Sequence, residues 1–218
     1  MRMHTRREFL IGALAPALFV TAARAGVRCI PDPKHGGSMC KTSIDFTDAY
    51  QETYHARHEA QNVWIACVAV VFAAYGHVIQ QPRIAQEAYG DFSKVTLDTS
   101  STALAPLNRT WKDDDGVAFT ASGEVLYDSS APDAKFNQDA LIQAVSNGDP
   151  VILVGGGHPV VLTALAYSQK SGSQPLVAGF VFDPMPMVGP RALDIDEVAP
   201  ESAGGDLRYA VRMKLVKV

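Results

Sequence analysis

Val63-Trp64-Ile65-Ala66-Cys67-Val68-Ala69-Val70-Val71-Phe72-Ala73-Ala74-Tyr75-Gly76 is the stretch that decides the architecture. Its Val and Ile content would suit a strand. The apolar run is too long for one, however, and Ala66, Ala69, Ala73 and Ala74 before a terminal Gly76 favour a helix that is apolar on every side. At about 1.5 Å per residue it is about 20 Å long, the width of a domain core and too short for a bilayer. A helix with no polar face has to be surrounded by other elements.

Those elements follow from the flanking sequence. Gln81-Pro82 opens a second helix with Pro in its first turn, and Gly90 closes it. Residues 91–133 read as loop-rich, with short strands at Val117–Thr120 and Glu124–Tyr127. A third helix fits Gln138 to Ser146, capped by Asn137 and ended by Asn147-Gly148. From Pro150 onward the pattern turns to strands: Val151–Val154, Val160–Tyr167, Leu176–Phe182 and Tyr209–Val218. Helices first and antiparallel strands afterwards predict an α+β domain, a buried central helix packed on a curved antiparallel β-sheet.

The N-terminus reads as an address. Thr5-Arg6-Arg7-Glu8-Phe9-Leu10 is followed by an apolar run from Ile11 to Ala22 and by Ala23-Arg24-Ala25, with small residues at −3 and −1 of a cleavage site. Arg6 and Arg7 before Phe-Leu resemble the signal read by the twin-arginine translocase, which carries folded cargo. A general secretory signal or an uncleaved anchor is the alternative. The run of about 12 residues falls short of the roughly 20 that span a bilayer. The organisation expected is a 1–25 signal peptide, a 26–56 lead-in and a 57–218 domain, periplasmic or secreted after export.

Removal of the signal's four Arg and one Glu takes the formal charge from −4 to −7 on the remaining 193 residues. An acidic chain without a basic run is a poor partner for nucleic acid or an anionic membrane surface. Outside the signal no segment is long enough for stable membrane insertion. Of three cysteines, Cys29 and Cys40 flank a Pro/Gly-rich segment, and an oxidising compartment predicts a disulfide between them. That bridge is expected to stiffen the lead-in without being required for the core. Cys67 is then the odd thiol.

Two segments carry candidate chemistry. One runs from Gly148-Asp149-Pro150 through Gly155-Gly156-Gly157-His158-Pro159 to Phe182-Asp183-Pro184 and Gly189-Pro190-Arg191. A His at a strand start can move a proton, and an acid at the end of the next strand can fix its tautomer. The other is the apolar helix itself, ending Ala74-Tyr75-Gly76 before Gln80-Gln81-Pro82. Together they resemble the papain-like cysteine peptidases secreted by bacteria, relatives of plant-pathogen effector proteases and of peptidases that remove double-glycine leaders. The resemblance covers roughly residues 57–198 and implies the papain-like fold, with His158 and Asp183 as catalytic residues.

The family pattern places a Gln six residues before the Cys of a Cys-Trp-Ala-Ala run at the start of an apolar helix. A cysteine there is exposed and its pKa is lowered by the helix N-terminus. Aligning Trp64, Tyr75-Gly76 and the second helix without a gap puts Val63 at the nucleophile position, Trp64 in the cleft and Arg57 where the oxyanion Gln belongs. The chain then resembles a pseudo-peptidase that holds a peptide or protein segment without cutting it. In the competing register Cys67 is the nucleophile and Gln61 the oxyanion residue. That register moves the thiol one helical turn, about 6 Å, from the exposed end and requires the helix to start a turn late.

No cofactor or metal is expected. His55 and His58 have a helical spacing that two ligands could use, yet no third ligand accompanies them. Asp113-Asp114-Asp115-Gly116 lacks the alternation of a calcium loop and reads as a polar turn. Gly155-Gly156-Gly157 precedes a strand and not a helix, so it is no phosphate loop.

Overall fold

The computed structural model describes residues 25–34, 36–46, 62–91, 95, 100–156, 158–170, 174–185 and 188–218. The expected signal with Arg6 and Arg7, and His55, Arg57, His58, Gln61 and Gly157, lie outside them. The described residues are mixed α and β, with few helices and one curled antiparallel sheet. The strands are β1 (Ala25–Pro31), β2 (Ser38–Ile44), β3 (Arg109–Lys112), β4 (Ala118–Asp128), β5 (Val151–Gly155), β6 (His158–Gln169), β7 (Leu176–Asp183), β8 (Gly189–Ala192) and β9 (Leu207–Lys217). Among the described residues five α-helices accompany them: α1 (Val63–Ala74), α2 (Gln81–Tyr89), α3 (Ser100–Leu104), α4 (Gln138–Ser146) and α5 (Ile195–Val198).

The sheet runs β1-β2-β6-β5-β9-β4-β3, with β7 on the other edge of β6 and β8 beyond it. β6 can serve three partners because it is long. β5 pairs with its first residues from His158 to Leu162, and β2 takes up the same edge from Ala164 to Gln169. β7 pairs along the opposite edge from Val161 to Tyr167. Its run Pro-Val-Val-Leu-Thr-Ala-Leu-Ala-Tyr is apolar almost throughout, as expected of a strand covered on both faces.

α1 packs against β6 and begins and ends where its sequence predicts. Asn62 caps it, its side-chain oxygen accepting the Trp64 and Ile65 N–H groups, and Gly76 leaves it at φ 81°. Trp64 through Ala73 are all buried. Away from β6, Phe72 packs edge-on against Trp111 of β3 and Phe119 of β4, with ring centroids 5.4 and 5.1 Å apart. α4 follows its expected cap at Asn137 and lies beside β1, β2, β5 and β6.

Several expectations are corrected. The segment read as a lead-in from 26 to 56 supplies β1 and β2, so the sheet begins well before the boundary expected at residue 57. Alternation in Ser38–Ile44 buries Cys40, Thr42 and Ile44 while Lys41 stays out, a pattern masked by the Pro/Gly-rich turn before it. Residues 91–133 hold α3, β3 and one continuous β4 where two short strands were expected. The two halves join through Gly123, where a Cβ would meet Leu104 Cδ1 at 2.1 Å. β8 and α5 were not anticipated either.

A buried hydrogen bond locks the far side of α1. His77 Nδ1 lies 2.8 Å from Asp113 Oδ2, and the imidazole stacks on Phe119 at 4.2 Å. Asp113 Oδ1 accepts the Val117 N–H across the polar turn joining β3 to β4. Asp113→Ala would leave His77 buried without its partner, so unfolding free energy should fall by about 3 kcal/mol. Thr42 is fully buried and its hydroxyl finds no partner among the described residues. Thr42→Val keeps the shape and removes that unpaired group, and should raise stability by about 1 kcal/mol. Urea titrations of the three proteins check both signs.

Candidate functional site

His158 and Asp183 meet because of strand register. The turn at Gly156, with φ 57°, reverses the chain so that His158 begins β6 opposite Gly155. Asp183 ends β7, and Val161 pairs with Phe182. Continuing that register puts Asp183 opposite Val160, one diagonal step from His158 on the same face. His158 Nε2 lies 2.9 Å from Asp183 Oδ2.

Two further residues belong to this group. Arg191 of β8 donates from Nε to the same Asp183 oxygen at 3.0 Å. Its two terminal nitrogens donate to the two oxygens of Glu197 on α5, at 2.6 and 2.5 Å. The Met185 N–H donates to Asp183 Oδ1 at 3.0 Å. Burial works against the Asp183 charge, but the Met185 N–H, His158 and Arg191 outweigh it and hold its carboxyl below the usual range. Glu197 is held low chiefly by its hydrogen bonds from Arg191, and those bonds raise the Arg191 pKa in turn.

Chemically, the group presents an oriented imidazole. The Asp183 side chain is 6% exposed and that of His158 34%, so the acid is inside and the base reaches solvent. With Nε2–H given to a carboxylate, a neutral ring keeps its lone pair on Nδ1. A proton taken there would be stabilised by Asp183 behind it. Sequence reasoning missed Arg191 and Glu197 as members. The available signal was Arg191 in the first strand after Asp183, yet only the pairing of Val181 with Arg191 brings it back to the acid.

The remaining candidates sit on α1. Val63 is its first residue and only partly buried. Trp64, expected to line a cleft, is 1% exposed. Its indole N–H donates to Tyr89 Oη at 2.9 Å, and Tyr89 donates onward to Ala103 O, so it ties α1 to α2 and α3. Cys67 lies a turn inside α1, fully buried, and among the described residues no hydrogen bond joins it to His158. Burial, and then the negative charge of Asp183, push its thiol pKa well up. Cys29 and Cys40 form the expected disulfide. Among the described residues no three His, Cys, Asp or Glu side chains gather as a metal site, and no helix is long and apolar enough to cross a membrane.

No family model, curated protein or solved structure matches the chain.

The depressed Asp183 pKa fixes the sign of a pH effect. A carboxylate with a lower pKa folded than unfolded adds stability above its unfolded value of about 3.9. That contribution is lost as pH falls through the folded value. Melting temperature should therefore drop on acidification below about pH 4, and the drop should be shallower in Asp183→Asn. Parallel melting profiles of the two proteins across this range would contradict the assignment.

Proposed function

We propose that the chain is an exported, papain-like cysteine peptidase homologue that has lost its nucleophile and binds a peptide or protein segment instead of cleaving it. One observation carries the loss of cutting: the protein's only thiol outside the disulfide is Cys67, which is fully buried in α1 with its pKa raised. A thiol peptidase needs a thiolate that a carbonyl can reach. The first residue of the helix, only partly buried, is Val63, which has no nucleophilic atom.

The papain-like part of the reading draws support from the oriented His158–Asp183 pair at adjacent strand ends and from the apolar α1 packed on the same β6. The Trp64 and Ile65 N–H groups at the helix start are already taken by Asn62, which leaves them unavailable to a developing oxyanion. Export to the periplasm or beyond accords with the Cys29–Cys40 disulfide.

An active peptidase using Cys67, His158 and Asp183, with Gln61 at the oxyanion, is the second reading. In its favour, Asp183 is close enough to Cys67 for its charge to raise the thiol pKa. Against it, α1 begins at Val63 and not one turn later, which keeps Cys67 inside.

A thiol-directed active-site probe separates the two. The native protein should stay unlabelled and become labelled at Cys67 only after denaturation. Val63→Cys should label in the native state, and adding His158→Ala should slow that labelling by about 100-fold, within the range of general-base effects. Labelling of native Cys67 that vanishes in His158→Ala would instead establish the active peptidase.

A further inference from the structure

We infer that the Cys29–Cys40 bond is a redox latch for one strand: closed, it holds β1 in the sheet, and open, it lets β1 leave while the core remains. This rests on how unequally the two strands of the hairpin are held, and is independent of the peptidase reading.

β1 is a terminal strand of the sheet, and among the described residues it pairs with β2 alone. All its side chains from Gly26 to Pro31 are exposed, Val27 to 49% and Ile30 to 66%. α4 also lies beside it, but with these side chains exposed that contact adds little buried apolar area, so β1 is held chiefly by the backbone ladder of seven residue pairs and the one covalent bond. A two-stranded hairpin held by its ladder alone is marginal in water. β2 is different. It pairs with β6 on its inner edge and buries Cys40 and Thr42 completely and Ile44 to 5% exposure. The cysteines face each other directly in the register, so the latch joins a strand with no stake in the core to one that is part of it.

The chemistry of opening is accessible from one side. Cys29 is exposed and Cys40 is buried, so a dithiol reductant attacks Cys29 Sγ. Cys40 leaves as a thiolate and takes a proton. The reductant's second thiolate then attacks its own sulfur in the mixed disulfide and releases Cys29, which also takes up a proton. Two electrons pass from the reductant, which ends as a disulfide, to the two protein sulfurs. A disulfide-bearing oxidant acting on the open form runs the same steps backwards and closes the latch.

Amide hydrogen exchange on the full chain, with and without a dithiol reductant, tests this. Reduction should speed exchange of the Gly26–Ile30 amides by at least about tenfold while β5, β6 and α1 keep their rates. Cys29→Ser should show the same local change with no reductant present. Unchanged rates over Gly26–Ile30 would mean that the ladder alone holds β1. Faster exchange throughout β6 and α1 would mean that the bond holds the core. Either result overturns the inference.

Discussion

Burial of β6 on both faces is the constraint from which the rest of the structure follows. A strand whose backbone serves β5, β2 and β7 while its side chains are covered above and below needs an apolar element packed on it. α1, with no polar face, fits that place. The mutual requirement also explains why the ends of β6 matter. Side chains in the middle of the strand are committed to packing, and chemistry is free to appear only where the strand emerges, at His158.

The site beside that end is an electrostatic chain as much as a dyad. Asp183 is almost buried, and a buried carboxylate is costly unless charges and N–H groups surround it. Arg191 meets part of that cost and is itself neutralised by Glu197. Four residues from two strands, a third strand and a helix thus stabilise one imidazole orientation. Such a network keeps its geometry whether or not a nucleophile sits opposite it.

What could be read in advance separates by the range of the interaction. α1, α2 and α4 were legible because their end signals are local: Pro82 and Asn137 at the starts of α2 and α4, Gly76, Gly90 and Gly148 at or just beyond the ends. β5, β6, β7 and β9 were legible as apolar runs. β1, β3 and β8 were not, because edge strands carry little apolar pattern and exist through their partners. In the site, His158 and Asp183 stood out from their places at strand ends. Arg191 and Glu197 depend on a register that no local signal encodes. Trp64 shows the same dependence on distant partners: the resemblance gave it a place in a cleft, and Tyr89 on α2 and Ala103 on α3 hold its indole in the core.

β1 has one more implication, which concerns timing. Ala25 and Gly26 pair with Ile44 and Ser43, so the bond at which the expected signal would be cut already belongs to the ladder. A processing protease reads its substrate as an extended segment in its own cleft, and one stretch of backbone cannot be substrate and sheet edge at once. Were the chain cut there, maturation and completion of the fold would be competing claims on the same peptide group. A chain exported already folded would have to yield that group first and recover it as the last piece of the sheet.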